Sequence, residues 1–396
     1  MKVKQSKSEA RTDLAAQCIR CGFCLESCPT FVLTGQETES PRGRIYLIRS
    51  ADSGKINWSE IADPIDHCLG CRACETACPS GVQYGALLEL AREELQKANP
   101  NAETERLLHL ASNRKEIAQK VALGRLSPIR KLPAWVAKIA AGVDAELPIP
   151  KAQPLAAWPE LDESELPPII GTVRLLEGCA MSVLFPRVHQ ATRRLLRRIG
   201  FACEPVPQEC CGALHAHSGF LENGNQLGLA VLDSALPIIV NSAGCGSHLK
   251  SLREDHHAPV FDLTEFLVQN GMCDLLSKQS SSHRKLTYHD ACHLAHGQKI
   301  TSPPRQLLRA IPGVEWVELG ESTMCCGSAG IYSFQQPEMA KQLRERKWKE
   351  IEKTGAEAVV LANPGCHSWL DDPDLQAQIR VEHIAETLEQ AFSGSM

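Results

Sequence analysis

The C-terminal half of the chain alternates short runs rich in strand-forming residues with longer stretches of helical periodicity. The runs lie at 173–176, 237–240, 285–288 and 358–361. After the first run, positions 183–199 carry the spacing of one amphipathic helix. Strands that alternate with helices predict parallel sheets built from α/β units. Each run leads to a cysteine, so these cysteines are predicted just beyond the carboxyl ends of strands, where such sheets bind their ligands.

The same half contains an internal repeat. Three landmarks occur twice in the same order: a single cysteine, a Cys-Cys-Gly (CCG) triplet and a second single cysteine. They are Cys179, Cys210-Cys211-Gly212 and Cys245 in the first copy, and Cys292, Cys325-Cys326-Gly327 and Cys366 in the second. Matching cysteines are 113, 115 and 121 residues apart, so the loop lengths differ while the order is kept. We interpret this half as a duplication.

The region before the duplication has three parts. Eight cysteines lie between positions 18 and 78, positions 85–142 carry helical spacing, and positions 143–168 hold six prolines among acidic residues, as in an extended linker. The predicted fold is therefore multidomain, with a small N-terminal helical module of the α+β class followed by two repeated α/β domains with parallel sheets. The predicted domains are 1–84, the helical extension and linker 85–168, and the repeats 169–282 and 283–396.

The composition places these cysteines in a reducing, metal-binding context. The 396 residues include 18 cysteines, which is too sparse for a small disulfide scaffold, and the polar N-terminus lacks a secretory signal. No apolar stretch approaches the length that spans a bilayer. The net charge of −5 and the 5% aromatic content argue against a nucleic-acid partner. We therefore expect a cytoplasmic protein whose cysteines bind metal rather than form disulfides.

The eight N-terminal cysteines follow the bacterial ferredoxin spacing twice. Each run reads Cys-x2-Cys-x2-Cys-x3-Cys-Pro, and in two-cluster proteins the fourth cysteine binds the other cluster. Two [4Fe-4S] clusters are predicted, because three closely spaced thiolates wrap one cluster while the fourth points across to the second. The predicted ligand sets are Cys18, Cys21 and Cys24 with Cys78, and Cys68, Cys71 and Cys74 with Cys28. Structural zinc is the alternative, since four thiolates also suit tetrahedral zinc.

The CCG triplets are predicted to hold further metal. Two successive thiolates over a glycine turn can contact neighbouring irons, whereas both cannot point into one apolar core without strain. The candidate ligands are Cys179, Cys210, Cys211 and Cys245 in the first repeat, and Cys292, Cys325, Cys326 and Cys366 in the second. The alternative is that these are small buried apolar residues, as free cysteines often are. That alternative is the interpretation we adopt for Cys203 and Cys273, which have no counterpart in the repeat.

With these motifs, the chain resembles the iron-sulfur subunits of bacterial glycolate oxidase (glycolate dehydrogenase) along essentially its whole length. The shared segments are 21–24 (CGFC), 41–47 (PRGRIYL), 78–82 (CPSGV), 177–179 (EGC), 244–246 (GCG) and 325–330 (CCGSAG). The resemblance implies an electron-transfer subunit of an oxidoreductase, with FAD on partner subunits that oxidise glycolate to glyoxylate and a quinone-type acceptor in the membrane. It also implies two [4Fe-4S] clusters and one or two further iron-sulfur centres in the CCG repeats.

One departure concerns the related heterodisulfide reductases, whose CCG sites end in Cys-x2-Cys and hold five thiolates. Here His248 and Trp369 stand where that fifth cysteine would be, which leaves four cysteines in each site. Heterodisulfide cleavage is therefore not expected. His248 remains a candidate ligand that would raise the potential, as imidazole does in Rieske centres, with a supporting role beside the site as the alternative. A CCG repeat that holds no metal and serves as a docking fold is a further alternative.

The chain lacks the fingerprint of a substrate-oxidising cofactor site. No G-x-G-x-x-G follows a predicted strand, and no P-loop, H-E-x-x-H or G-x-S-x-G motif is present. A flavoprotein partner is required because alcohol oxidation moves two electrons whereas a cluster takes one. No catalytic residue is therefore assigned to this chain. Two alternative functions stay open: the equivalent subunit of a lactate-utilisation or anaerobic glycerol-3-phosphate dehydrogenase system, and a zinc-stabilised scaffold without a redox role.

A basic stretch at 114–138 is the candidate for membrane contact. It carries seven basic residues and one acidic residue, interleaved with apolar residues and Trp135. Such a segment can lie on an anionic membrane surface, which predicts a peripheral position on the cytoplasmic face of the inner membrane. The alternative is a face that packs against its own domain or against the flavin subunit.

Overall fold

The computed structural model describes residues 6–125, 131–132, 147–148, 158–281, 283–371 and 379–393. Within these ranges the chain forms an N-terminal helical module, three longer helices and two four-stranded parallel sheets. The predicted combination of a helical module with two parallel-sheet repeats is confirmed. No helix in the described ranges is both long and apolar enough to cross a lipid bilayer.

The N-terminal module consists of short helices around a small core. The helices are Lys7–Ala16, Pro29–Thr34, Pro41–Asp52, Ala62–Asp66 and Ala73–Thr76, with 3₁₀ turns at Glu37–Glu39 and Trp58–Ile61. Ser6 caps the first helix, because its hydroxyl accepts from the Glu9 amide at 3.3 Å and the Glu9 carboxylate accepts from the Ser6 amide at 2.8 Å. The core contains Ile45, Ile48 and Ile65, together with cysteine side chains. Few apolar residues are available, so the cysteines form a large part of this core.

Three consecutive helices follow the module, at Tyr84–Ala98, Ala102–Ser112 and Arg114–Arg125. These helices agree with the helical pattern predicted from residue 85 onward, as far as Arg125. Beyond them, the strands β1 (Lys131–Leu132) and β2 (Leu147–Pro148) pair antiparallel, which the sequence pattern did not predict. The rest of 126–157, which includes most of the predicted linker, lies outside the described residues.

The first repeat is a parallel sheet in the order β4-β3-β5-β6. Its strands are β3 (Gly171–Leu176), β4 (Phe201–Pro205), β5 (Ile238–Val240) and β6 (Val260–Asp262). Its helices are Met181–Leu184, Pro186–Arg198, Ala213–His217, Leu221–Leu232, Ala243–Leu252, Leu263–Gln269 and Met272–Leu276. A 3₁₀ turn at Glu163–Glu165 precedes the sheet.

The second repeat has the equivalent order, β8-β7-β9-β10. Its strands are β7 (Lys285–Tyr288), β8 (Glu315–Trp316), β9 (Ala358–Leu361) and β10 (Arg380–His383). A π-helical turn at His293–Gly297 is followed by the helices Ser302–Arg309, Tyr332–Gln335, Pro337–Thr354, Pro364–Leu370 and Ile384–Ser393. In both repeats the second strand lies at the edge beside the first, and the third and fourth strands follow on the other side. This shared order supports the interpretation as a duplication.

One element differs from the prediction. The single helix predicted over 183–199 is two helices, which meet at Phe185 with φ −130° and ψ 51°. Pro186 is the cause, because the residue before a proline is sterically disfavoured from the helical region. Pro186 then occupies the first turn of the longer helix, where its missing amide proton costs nothing.

The two repeats share one core. Apolar residues of both sheets belong to a single buried cluster that includes Val173, Ile239, Leu286 and Val359. The two repeats are in contact just beyond the carboxyl ends of β5 and β9, where the Ala243 amide donates to the Ala362 carbonyl at 3.2 Å. The cysteine-bearing loops of the two repeats are therefore held in a fixed relation to one another.

Candidate metal centres

The two cysteine loops of the N-terminal module share one backbone shape. In each loop the third and fifth residues adopt positive φ: Arg20 (59°) and Gly22 (88°) in the first, Gly70 (63°) and Arg72 (63°) in the second. Arginine rarely adopts this conformation, so the loop geometry outweighs a local backbone cost of about 1 kcal/mol at each arginine. The result is a tight turn that directs three thiols toward one centre.

Cys18, Cys21, Cys24 and Cys78 line one cavity near the surface, and we call them the outer group. Cys21 is exposed, whereas the other three are half-buried. Arg42 lines the same cavity, and its side chain donates to the Arg20 carbonyl at 3.3 Å. Burial raises the pKa of the Cys24 thiol, and the neighbouring Cys18 and Cys28 contribute to that rise. The predicted first set is thus brought together by the fold.

Cys28, Cys68, Cys71 and Cys74 form the inner group, and all four are buried. Burial raises the pKa of the Cys74 thiol, and the sulfurs of the other three contribute because they lie close by. Tyr84 donates its hydroxyl toward the Cys68 sulfur at 3.7 Å. The second predicted set is therefore also assembled, with its fourth member taken from the first cysteine run.

A buried arginine stands beside the inner group. Arg44 has no exposed surface, and its guanidinium lies 3.9 Å from the Cys28 sulfur while it donates to the Glu39 carboxylate at 2.6 Å. The nearby Glu39, Cys28 and Cys68 raise the pKa of this guanidinium against the opposing effect of burial. A buried cation of this kind offsets the negative charge that thiolates bring into the core. The sequence analysis did not assign this role, although Arg44 lies in the quoted 41–47 segment.

The first CCG site comprises Cys179, Cys210, Cys211 and Cys245. Cys179 and Cys245 follow the ends of β3 and β5, as predicted, and the thiols pair as Cys179 with Cys210 and Cys211 with Cys245. Hydrogen bonds from Cys179 and from the Gly212 amide, whose N–S distance is 3.5 Å, lower the pKa of Cys210 to about 7. The triplet therefore contributes one thiol to each of the two pairs.

Glycine is required in both triplets. Gly212 has φ 80°, and a Cβ at this position would lie 2.0 Å from the Gly224 carbonyl oxygen. Gly327 has φ 94°, and its Cβ would lie 2.5 Å from the Ala340 carbonyl oxygen. The turn that spreads the two adjacent cysteines leaves no room for a side chain at either position.

The second CCG site comprises Cys292, Cys325, Cys326 and Cys366. Cys292 and Cys366 follow β7 and β9, and the thiols are in mutual contact, Cys325 with Cys292 and Cys326 with Cys366. The site is more deeply buried than the first, since only Cys292 is half-buried. The ring of His289 also reaches this site: ligand atoms of His289, Cys326 and Cys366 all lie within 4.8 Å of one another.

Sequence reasoning missed His289, although a signal was available, because a histidine directly after a buried strand stands where ligands bind. It singled out His248 instead, whose Nε2 faces the Gly224 carbonyl at 3.4 Å and whose ring meets His217 edge to face. Trp369 supports the second CCG site from behind by donating its indole N–H to the Cys326 carbonyl at 3.0 Å. Cys203 lies in β4 and Cys273 lies in the helix Met272–Leu276, and both pack against the large core.

The inner group adjoins the second CCG site. Cys71 and Cys325 belong to one buried apolar cluster, and the nearby Cys292 contributes, after burial, to raising the pKa of Cys71. Two hydrogen bonds fix this contact: His293 Nε2 to the Gly70 carbonyl at 3.0 Å, and Thr76 Oγ1 with His296 Nδ1 at 2.9 Å. The first CCG domain is contacted as well, since Arg72 of the inner-group loop donates to the Ser247 hydroxyl at 3.4 Å and Arg92 of the helix Tyr84–Ala98 donates to the His217 carbonyl at 2.7 Å.

The comparison with known families follows this division. Residues 14–82 match the family described as "4Fe-4S dicluster domain", and residues 173–250 and 286–371 match the "Cysteine-rich domain". The chain is 33% identical to the "Probable glycolate oxidase iron-sulfur subunit" of Bacillus subtilis, over 99% of this chain and 97% of that protein. The chain belongs to the glycolate oxidase iron-sulfur subunit family.

Two further relatives show how far the similarity extends. The "Glycolate oxidase iron-sulfur subunit" of Escherichia coli is 32% identical over 95% of this chain and 93% of its own length. The "Lactate utilization protein A" of an Exiguobacterium strain is 29% identical over 55% of this chain and 97% of that protein. The predicted membership, and the prediction of a dicluster module followed by two cysteine-rich domains, are confirmed. As in other members, the chain serves electron transfer within an oxidoreductase complex.

The residues present fit the iron-sulfur cofactors of this family. Each of the four sites offers four free thiols, with no disulfide among them. Arg44 and Tyr84 supply positive charge and a hydrogen-bond donor to the inner group. The cofactor prediction of two [4Fe-4S] clusters, with further iron-sulfur centres in the CCG domains, is confirmed at the level of the families.

Proposed function

We propose that this chain is the electron-transfer subunit of a complex that oxidises glycolate to glyoxylate on FAD-binding partner subunits and delivers the electrons to a quinone-type acceptor. The contact between the inner group and the second CCG site, formed around Cys71 and Cys292, is the observation that carries this proposal. It brings two thiol-rich sites of different domains side by side, as stepwise electron transfer requires. The identity of glycolate follows the names of the relatives that match nearly the whole chain.

We assign the ligands according to the four groups. The outer and inner groups each hold one [4Fe-4S] cluster, and each CCG site holds a further iron-sulfur centre. The proposed ligands are Cys18, Cys21, Cys24 and Cys78; Cys28, Cys68, Cys71 and Cys74; Cys179, Cys210, Cys211 and Cys245; and Cys292, Cys325, Cys326 and Cys366. When bound, such centres each accept and release one electron, and so divide the two electrons of a reduced flavin.

The protein contributes burial, charge and hydrogen bonds. The inner group and three of the four cysteines of the second CCG site are buried, which excludes water from those sites. Arg44 and the hydroxyl of Tyr84 stabilise negative charge on the sulfurs of the inner group and so favour its reduced state. The outer group lacks a buried cation of this kind among the described residues, because Arg42 is partly exposed. Electrons are therefore drawn inward from the outer group.

The outer group lies beside an apolar surface patch that we assign to the flavin-binding partner. The patch is formed by Ile19, Phe23 and Tyr46, which are 68%, 71% and 56% exposed. Ile19 and Phe23 belong to the same loop as the exposed Cys21, so a partner seated here approaches the outer group directly. Aromatic and apolar residues of this kind form the centres of protein interfaces. Members of this family are subunits of a larger complex, so a partner chain is expected.

The membrane contact rests on a shorter segment than the sequence pattern indicated. In the described helix Arg114–Arg125, Ile117 and Val121 pack against the core of the first repeat, and Arg114 pairs with Glu209 at 2.5 Å. Ile117 and Val121 therefore face the protein itself, whereas Arg114 is exposed. The proposed peripheral contact at the cytoplasmic face therefore rests on 126–138, of which 126–130 and 133–138 lie outside the described residues.

The test is to co-purify the chain with its flavin-binding subunits without oxygen and to follow the visible absorbance of the iron-sulfur centres at about 400 nm. Glycolate is expected to bleach this absorbance, and a quinone analogue is expected to restore it. Lactate and glycerol 3-phosphate are the comparison substrates. Preferential bleaching by either of them would reassign the complex, and a colourless preparation that contains zinc without iron would remove the redox function altogether.

A further inference from the structure

The hydrogen bonds of His289 account for only one of its two ring nitrogens. The ring is fully buried directly after β7, and its Nδ1 lies 3.2 Å from the Ser322 carbonyl oxygen. A carbonyl only accepts, so Nδ1 carries the proton and donates. Nε2 then holds a lone pair. No hydrogen bond of normal geometry satisfies this buried atom, and the contact of the ring with Cys326 contributes, after the neighbouring thiols, to lowering the pKa of that cysteine. Buried polar atoms without a partner are rare, and each calls for an explanation.

The ring of His289 lies beside the thiols of Cys326 and Cys366. The ligand atoms of His289, Cys326 and Cys366 lie within 4.8 Å of one another, which is close enough for a shared metal centre. The hydrogen bond to Ser322 is the support that metal-ligating histidines ordinarily have, because a carbonyl that accepts from one ring nitrogen fixes the other as the donor to the metal. The ring therefore lies beside the second CCG site, and its tautomer leaves Nε2 as the nitrogen that can bind metal there.

The first repeat lacks this group. Three residues before Cys179 stands Leu176, just as His289 stands three residues before Cys292. Leu176 packs in an apolar cluster with Cys211 and Cys245, which correspond to Cys326 and Cys366. The duplicated fold thus places an apolar side chain beside one site and an imidazole beside the other. His248 does not replace it, since its Nε2 faces the Gly224 carbonyl.

We propose that Nε2 of His289 is an iron ligand in the second CCG site, which then has four sulfur donors and one nitrogen donor. This inference rests on the proposed function, because it requires an iron-sulfur centre at that site. A neutral imidazole adds no negative charge to the site, whereas a further thiolate would add one. The second CCG site, which adjoins Cys71, therefore gains a fifth donor without gaining charge.

The test is pulsed EPR on the full chain, purified without oxygen and labelled with ¹⁵N-histidine. The signal of the second CCG site is identified as the one that is absent from Cys326→Ala. In the wild-type chain this signal is expected to show a nitrogen coupling that changes from ¹⁴N to ¹⁵N on labelling. The coupling is expected to disappear in His289→Leu, which copies Leu176, and in His289→Cys, which keeps a donor and is expected to titrate at a lower potential.

His248→Leu is the matched control, because it removes another buried histidine beside a CCG site, and it is expected to keep the coupling. If the signal shows no histidine coupling in the wild-type chain, the ligation by His289 is wrong while the iron-sulfur function stands. That measurement decides even where the variants fold poorly. If Cys326→Ala removes no signal and no iron, or if zinc fills the site, the cluster assignment itself fails, and the inference fails with it.

Discussion

The two CCG domains have the same strand order and the same glycine turn, yet their cysteine sites have different surroundings. The second site is almost fully buried, lies against the inner group through Cys292 and Cys71, and has His289 and Lys347 beside it. The first site has three half-buried cysteines and has Leu176 in place of the histidine. Duplication preserved the scaffold that positions four thiols, whereas the side chains around them diverged. We therefore expect the two sites to have different tasks, with only the second on the electron path.

Removal of one thiol from each site is the strongest test of this difference. Cys326→Ala is expected to lower glycolate-driven quinone reduction at least about 10-fold, the scale on which damaged metal sites lose activity, because its site adjoins the inner group. Cys211→Ala, the matching change in the first site, is expected to cost less than about 2-fold, far below that range. The assay is steady-state reduction of a quinone analogue by the purified complex.

The control for this pair is Cys273→Ala, which removes a thiol outside the four sites and is expected to leave the rate unchanged. Equal losses in Cys211→Ala and Cys326→Ala would mean that both CCG sites lie on the path. The functional difference between the domains would then be wrong.

The shared glycine turn should respond alike in both domains. Gly212→Ala and Gly327→Ala place a Cβ within 2.0 Å and 2.5 Å of a carbonyl oxygen and keep an unfavourable positive φ. Each is expected to destabilise the chain by about 2–3 kcal/mol, which lowers the thermal midpoint by several degrees. Gly271→Ala is the control: its φ is also positive, at 80°, but no atom lies within 4 Å of the added Cβ, so about 1 kcal/mol is expected. Equal effects at all three positions would show that strain alone, without the overlap, governs the turn.

The fourth strands end in buried titratable residues of opposite kinds. His383 ends β10 and donates from Nε2 to the Asn241 carbonyl at 3.0 Å, and burial lowers its pKa to about 3. Asp262 ends β6 and caps the next helix by accepting from the Thr264 amide at 2.8 Å, and burial raises its pKa to about 6. The stability that depends on neutral His383 is present above about pH 6.5 and is lost as the pH falls. Asp262 has the opposite sign, because its buried form favours the proton and its contribution is lost as the pH rises through about 6.

These signs predict opposite changes in acid sensitivity. His383→Gln keeps a donor without the titration and is expected to reduce the loss of stability between pH 6.5 and pH 5 by about 2 kcal/mol. Asp262→Asn keeps the cap but removes the gain on protonation, so the acid loss is expected to be larger than in the wild-type chain. Thermal midpoints at pH 8, 6.5 and 5 measure both effects. Parallel shifts in the two variants would contradict the assigned signs.

Local spacing made much of the molecule predictable. The cysteines of the outer and inner groups lie within short loops, so the ferredoxin spacing was enough to predict which thiols the fold assembles. The strands at 285–288 and 358–361 were predicted at their observed bounds. The second of them is a continuous apolar run, as is typical of a buried parallel strand. Pro186 shows the limit of periodicity, since an apolar pattern continues across a residue at which the backbone cannot remain helical.

Several contacts that sequence analysis missed join residues from different elements or domains. His289 meets Cys366 from another strand, and Lys347 meets Cys326 from a helix that begins after the CCG triplet. The contact of Cys71 with Cys292 joins two domains. No period or spacing encodes such contacts, because they follow from how the sheets and the N-terminal module pack against each other. Exposed residues such as Ile19 and Phe23 gave no signal either, since the same residues would be ordinary core residues if they were buried.

The smallest expected effect concerns Lys347, which lies beside the second CCG site. Lys347 is buried, and its ammonium donates to the Glu321 carbonyl beside Cys325 and Cys326. Burial lowers its pKa, while the nearby thiols act to raise it. Lys347→Met removes this positive charge at similar volume, so reduction of the second CCG site becomes less favourable. Its midpoint potential is expected to fall by about 50 mV, roughly 1 kcal/mol for one electron.

The first CCG site supplies the internal standard for this measurement, because its potential is read in the same EPR redox titration and is expected to remain unchanged. Lys353→Met on the same helix, Pro337–Thr354, is the matched control, since that exposed lysine pairs with Glu350 and lies away from the cysteines. An equal shift at both CCG sites, or none at the second, would show that Lys347 serves the packing of its helix alone. A fall confined to the second site would show that the buried charge of Lys347 tunes its potential, and the two domains would then differ through two independent side chains, His289 and Lys347, on one preserved scaffold.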